Sequence, residues 1–246
     1  MPLTVSRSFG VEIEFCYSGR YDVLLAKLRE AGLSANIEWD NDHVSYSSWK
    51  IVEDCSVSNG AELVSPILRG EDGLEQIKKA TKVLREAGCT VDRTCGLHVH
   101  VNAVECTVKQ LVNVLRRYAA NEHTIDTYMP RSRRENRNSF CYTLRNMNFD
   151  RLETFEDMNR VGNNMRNGRF HKVNVCSFTR QGTIEFRHHS GTLNATKINN
   201  WVQFCIGFLE GSINSCSRRR TTNLMFGLPQ NLAEYYSQRS NELRRS

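Results

Sequence analysis

Between Phe9 and Phe15 the chain alternates without a break: Phe9, Val11, Ile13 and Phe15 fall on one side, and Gly10, Glu12 and Glu14 on the other. A repeat of two residues is the pleat of a β-strand, so this segment predicts a strand with one apolar and one carboxylate face. The apolar face must be buried against helices or a second layer. The other face holds two carboxylates roughly 6–7 Å apart. Like charges that close repel unless a cation lies beside them. A solvent-facing strand can also carry such a pair, so the choice depends on what the rest of the chain brings.

Three further segments set polar groups on one face in the same way. In Leu97-His98-Val99-His100-Val101-Asn102, alternation puts His98, His100 and Asn102 opposite the three apolar residues. One histidine on a strand is commonly a hydrogen-bonded core residue, but two followed by asparagine are better explained by a site. In Thr183-Ile184-Glu185-Phe186-Arg187, Glu185 and Arg187 share a face. They form either a simple ion pair or a metal ligand beside a phosphate-binding guanidinium. Asp54 and Glu62 flank a Ser/Asn/Gly turn that predicts a hairpin, with both acids brought to one end of the sheet. The plain alternative is a turn-stabilising Asp and an edge-strand Glu. Taken together, these strands predict a face lined by Glu12, Glu14, Glu62, His100, Glu185 and Arg187, with Asp54 nearby. Such a face calls for cations, and hard oxygen ligands favour Mg²⁺ or Mn²⁺.

Around these strands the sequence predicts helices at 21–31, 73–87, after Thr107, from Asn194, and at 232–243, with a weak one at 149–160. Gly32 and Gly88 stop the first two, and Thr107 caps the third. Short strands are expected at 44–46, 50–54 and 62–65, and two more, 173–178 and 183–187, around a turn at Gln181-Gly182. Residues 130–148, rich in Arg and Asn, predict a loop. The fold class expected is α+β, with one sheet and helices packed on one side. No repeat or linker divides the chain, so residues 1–217 predict one catalytic domain, with a basic loop and C-terminal helix over 218–246 packed on it.

Composition narrows the classes. No apolar run is long enough to span a membrane. The start of the chain lacks a basic segment followed by an apolar one, so a cytoplasmic location is expected. Nine cysteines without a C-x-x-C pair predict reduced, mostly buried thiols rather than a zinc cluster. The net charge of +6 is concentrated at Arg131, Arg133, Arg134 and Arg137, and at Arg218 to Arg220. These are solvated loops or contacts for phosphates or an acidic substrate. No nucleic-acid recognition module appears.

Five motifs occur in this order: Gly10-Val11-Glu12-Ile13-Glu14-Phe15, Glu62-Leu63-Val64-Ser65-Pro66, Cys95-Gly96-Leu97-His98-Val99-His100-Val101, Thr183-Ile184-Glu185-Phe186-Arg187 and Gly191-Thr192-Leu193-Asn194. Over residues 8–210 this series resembles the amidoligases of phages, bacteria and fungi, a branch of the glutamine synthetase and glutamate–cysteine ligase superfamily. The resemblance implies a curved, mainly antiparallel sheet whose concave face holds ATP and divalent ions. It implies metal binding by Glu12, Glu14, Glu62 and Glu185, with His98 or His100 as the histidine on the nucleotide side. His100, the more central of the two, is the expected ligand, leaving His98 as a nucleotide or substrate contact. Arg187 is expected on phosphate, and Arg131, Arg137 and Asn174 are grouped with it as nucleotide contacts. The activity implied is ATP-dependent joining of a small-molecule or peptide carboxylate to an amine, with Glu62 or Asp54 as candidate bases. Two other readings stay open: a metal-dependent hydrolase built on the His-x-His strand, and a non-catalytic nucleic-acid- or protein-binding relative.

Overall fold

The computed structural model describes residues 7–39, 47–54, 56–57, 59–149, 152, 154, 168–213, 224–225 and 228–245. Its strands are β1 Phe9–Cys16, β2 Ala35–Glu38, β3 Trp49–Glu53, β4 Gly60–Val64, β5 Gly96–Asn102, β6 Val173–Asn174 and β7 Thr183–Ser190. Its helices are α1 Tyr21–Glu30, α2 Gly70–Glu86, α3 Val108–Asp126, α4 Cys176–Gln181, α5 Ala195–Ile213 and α6 Gln230–Arg245. The strands form one seven-stranded sheet in the order β2-β3-β4-β1-β5-β7-β6. The pairs β1–β4, β3–β4 and β6–β7 are antiparallel, and β2–β3 is parallel. The class is α+β. The described residues divide into two compact units, one within Thr4–Val99 and Ser190–Val202, the other within His100–His189 and Gln203–Ser246.

In the first unit the alternation of β1 is realised: Phe9, Val11, Ile13 and Phe15 are buried, with Ile51 of β3 and Ala61 and Leu63 of β4. Leu24 and Leu28 of α1 and Ile77, Ala80 and Leu84 of α2 complete the core. Each large side chain removed from water in this way contributes about 1.5–3 kcal/mol. Both helices end in the same device. Gly32 (φ 80°) donates to the Arg29 carbonyl while Leu33 reaches back to Leu28, and Gly88 (φ 82°) and Cys89 repeat this on Arg85 and Leu84. The left-handed glycine lets the chain turn and satisfies the last carbonyls. Helix α2 starts at Gly70, earlier than its apolar stripe indicates, and Glu71 and Asp72 lie where the positive helix end favours acids.

In the second unit β7 buries Ile184, Phe186 and His188 on one face. Phe186 and Phe208 lie against Tyr118 of α3 with ring centroids 6.1 and 5.5 Å away. Helix α3 carries a full capping box: Thr107 accepts from the Gln110 N–H, and Gln110 returns the bond to the Thr107 backbone. Helix α5, whose start belongs to the first unit, opens on Asn194, whose side chain accepts from the Lys197 N–H at 3.1 Å.

Two expectations about strands are corrected. The strand expected over 173–178 is only Val173–Asn174, and the chain then turns into α4. Asn174 accepts the Cys176 N–H at 2.9 Å, a local side-chain turn that competes with the ladder. Gly182 closes α4 in the left-handed region (φ 68°) and returns the chain to β7. Strand β2 was not anticipated; it offers just four residues, of which Ala35 alone is buried. The strand expected at 44–46 and the cluster Arg218 to Arg220 lie outside the described residues, as does most of the helix expected at 149–160.

Candidate active site

The pairing of β1 with β4 sets Glu14 directly opposite Glu62, with Glu12 one pleat away opposite Val64. Directly opposed residues share a face, so Glu12, Glu14 and Glu62 project to the same side. Glu14 is buried, at 5% exposure, and one of its oxygens accepts the Gly96 N–H at the start of β5. His98 of β5 is buried between two of the acids. Its Nδ1 lies 2.9 Å from Glu12 Oε2 and its Nε2 lies 3.3 Å from Glu14 Oε1. Carboxylate oxygens only accept, so each contact needs a hydrogen on the ring nitrogen or a cation in its place.

The second unit holds the remaining candidates. Glu185 is 4% exposed and is bound through both oxygens: Asn174 Nδ2 donates to Oε2 at 2.6 Å, and the Arg187 guanidinium donates to Oε1. Asn174 and Glu185 are register partners across β6 and β7, which explains the contact. Arg187 also donates to the Phe140 carbonyl at 3.4 Å, with its guanidinium 5.9 Å from the Phe170 ring centroid. His100 is half-buried; its Nδ1 lies 3.1 Å from Thr183 Oγ1 and its Nε2 4.0 Å from Glu185 Oε1. In the first unit Glu12 and Glu14 offer hard oxygens beside His98, and in the second Glu185 does so beside His100; donors of this kind suit Mg²⁺ or Mn²⁺.

Other candidates sit apart from these contacts. Asp54 follows β3, accepts the Ser56 N–H at 2.8 Å, and lines a cavity of about 570 Å³ with Tyr17, Tyr21, Trp39 and Gly60. Arg131 and Arg137 are exposed, Arg137 lying 3.8 Å from Glu135. Arg133, grouped with them by sequence, is buried, and its carbonyl lies 3.0 Å from His188 Nε2.

Sequence reasoning missed a buried ionic cluster that underpins the second unit. Lys172 is fully buried, with Nζ 2.9 Å from Glu122 Oε1 and 2.6 Å from Asp126 Oδ1. Glu122 also accepts the Thr143 hydroxyl and the Leu144 N–H, which ties the Arg/Asn-rich loop to α3. Asp126 lies 2.9 Å from His188 Nε2, whose Nδ1 is 2.7 Å from the Tyr118 hydroxyl. Because the Arg133 carbonyl and Asp126 both face Nε2, that nitrogen carries the hydrogen and Nδ1 accepts from Tyr118. Burial holds the His188 imidazole down at about 4, against the pull of Asp126. Burial pushes the Asp126 carboxyl up, but its bonds to His188 and Lys172 win and hold it well below the carboxylate range. One hydrogen bond relates the cluster to the candidates: Lys172 precedes β6, and its carbonyl accepts the Arg187 N–H at 2.9 Å. The readable signal was Glu122 and Asp126 falling on the helical stripe of Leu111, Leu115 and Tyr118.

No curated protein matches the chain. A family model described as a putative amidoligase enzyme matches residues 5–209, most of the chain and all five motifs. On that match, the chain belongs to the putative amidoligase family.

Proposed function

We propose that this amidoligase uses ATP and a divalent cation to join a carboxylate to an amine through an acyl phosphate. The observation that carries the reading is the convergence of Glu12 and Glu14 on both ring nitrogens of His98, in a chain of amidoligase sequence. A free carboxylate resists amines because its carbonyl is resonance-stabilised and its charge repels nucleophiles. Phosphorylation by the ATP γ-phosphoryl group supplies a leaving group, ADP departs, and the amine then displaces phosphate to leave the amide. Mg²⁺ or Mn²⁺ ions, for which Glu12, Glu14 and Glu62 in the first unit and Glu185 and His100 in the second are the proposed ligands, would offset the charge that builds on the transferring group.

Arg187 is the proposed phosphate contact. Its guanidinium is held by Glu185, so phosphate binding exchanges one anion for another at a guanidinium already in position. Asn174 and the exposed Arg131 and Arg137 are proposed to contact nucleotide or an acidic substrate. Glu62 or Asp54 is proposed to take the proton the amine sheds. The test is thermal unfolding with Mg²⁺, a non-hydrolysable ATP analogue, or both. The pair raises the midpoint of the wild type by more than either alone, because each binds the folded state better with the other present. A Glu12→Gln/Glu14→Gln variant stabilised as much as wild type would remove these acids from the metal assignment.

A further inference from the structure

The end of β1 and the turn leading into β5 bring together two thiols and a carboxylate that the proposed reaction does not use. Cys16 closes β1, Cys95 immediately precedes β5, and Asp92 opens the turn before it. The two segments are tied by backbone bonds in both directions, Cys16 N–H to the Thr90 carbonyl at 2.8 Å and the reverse at 3.0 Å. Neither cysteine is in a disulfide; Cys95 is buried, Cys16 half-buried and Asp92 exposed. The sulfurs are 3.7 Å apart, and Cys95 Sγ is 3.7 Å from Asp92 Oδ1. One donor atom from each of the three residues lies within 4.8 Å of the others.

The two 3.7 Å distances match edges of a small tetrahedron. With Zn–S of about 2.3 Å and Zn–O of about 2.1 Å at tetrahedral angles, the sulfurs stand about 3.8 Å apart and a sulfur and an oxygen about 3.6 Å. A disulfide instead needs the sulfurs to close to about 2.05 Å. Asp92 is held in place by the Thr94 N–H at 2.7 Å and the Thr94 hydroxyl at 2.5 Å, both on Oδ1, which fixes the carboxylate beside Cys95. Cys95 has little room to move: its carbonyl accepts the Gly191 N–H at 2.8 Å, and a Cβ on Gly191 would lie 2.4 Å from its own.

We propose that Cys16, Cys95 and Asp92 bind a thiophilic divalent ion of the Zn²⁺ type, with water in the fourth position. Thiolates select such an ion over Mg²⁺, so this site and the carboxylate–imidazole clusters take different metals. The ion clamps the end of β1 to the start of β5, the two strands that carry Glu12, Glu14 and His98. The inference does not depend on the ligase reading, because its test needs neither nucleotide nor turnover.

The full chain, reduced with a phosphine and stripped with a chelator, is titrated with Co²⁺ and then Zn²⁺. One equivalent of Co²⁺ produces near-ultraviolet thiolate-to-cobalt absorption; Zn²⁺ abolishes it and excess Mg²⁺ does not. Cys16→Ser and Cys95→Ser each weaken Zn²⁺ binding by more than the roughly 10–100-fold typical of losing an outer partner. Asp92→Asn weakens it while keeping the thiolate absorption. Cys16→Ser, at a half-buried position, guards against a folding defect in Cys95→Ser. Absence of the thiolate band, a band unchanged in both serine variants, or formation of a Cys16–Cys95 disulfide in place of metal uptake would each overturn the proposal.

Discussion

Replacing Lys172 by Met keeps the length of the side chain and removes its charge from the buried cluster with Glu122 and Asp126. At the observed 2.9 and 2.6 Å, Coulomb's law gives about 6 kcal/mol of gross attraction per pair at an effective dielectric of about 20. Most of this is offset in wild type by the several kcal/mol that desolvating the ammonium costs. The carboxylates stay buried in the variant with fewer donors, and breaking such a group from one side typically costs roughly 3–5 kcal/mol. For a chain of this length that lowers Tm by roughly 6–20 °C. Urea unfolding should show a lower midpoint, and Lys172→Met/Glu122→Gln should recover part of the loss by removing both charges. The pH profile supplies a second reading. Neutral His188 sits at about 4 when folded, against about 6.5 unfolded, so the unfolded state binds the proton first. Wild-type stability therefore falls as pH drops from about 6.5 to about 4. The depressed Asp126 adds stability that is present above the unfolded carboxylate value of about 3.9 and is lost as pH falls below it, through its folded value. Lys172 contributes to holding the His188 imidazole down, so the slope between about 6.5 and 4 should flatten in Lys172→Met. A variant as stable as wild type, with an unchanged slope, would refute the reasoning.

Three further outcomes follow from the site geometry. Arg187→Ala should abolish most ATP-dependent turnover and also lower Tm, because it takes the guanidinium from the buried Glu185, whereas Arg187→Lys should keep more of the Tm yet rescue turnover poorly because an ammonium lacks the fork; near-normal turnover in the alanine variant would remove the phosphate role. His98→Ala should disturb Glu12 and Glu14, whereas His100→Ala should act beside Glu185, so metal-dependent nucleotide binding measured in each ranks them as ligands. Loss in His98→Ala with retention in His100→Ala would make His98 the ligand in place of His100. Neutralising the exposed Arg131 and Arg137 together should raise substrate KM at unchanged Tm, and unchanged kinetics would leave them as solvated surface.

What the sequence made legible is what is encoded locally. The period-2 alternation of Phe9 to Phe15 and of Leu97 to Asn102 placed both strands and their polar faces within a residue, because burial of one face enforces the pleat. Gly32, Gly88 and Thr107 marked helix ends through conformations and capping bonds that depend on neighbours in the chain. The strand expected beyond Asn174 failed because one side-chain bond to Cys176 redirects the backbone, which a hydropathy pattern does not register. Partner choice was not legible. That Glu12 and Glu14 would both close on His98, and Glu185 on Asn174, depends on strand register, whereas the Glu185–Arg187 pair, two residues apart on one strand, is an ion pair the alternation offers. The Lys172 cluster and the Cys16–Cys95–Asp92 group join residues 46 to 79 positions apart, beyond any local pattern.

The most direct test of ATP-dependent amide formation follows oxygen-18 from labelled carboxylates. The full chain is incubated with Mg²⁺, ATP, amines and a pool of acids labelled in both carboxylate oxygens, and products and phosphate are read by mass spectrometry. An acyl-phosphate route predicts ADP, phosphate and a new amide in equal amounts, with one labelled oxygen carried into each phosphate. Amide formed with unlabelled phosphate, with AMP and pyrophosphate, or with no nucleotide cleaved would contradict the mechanism.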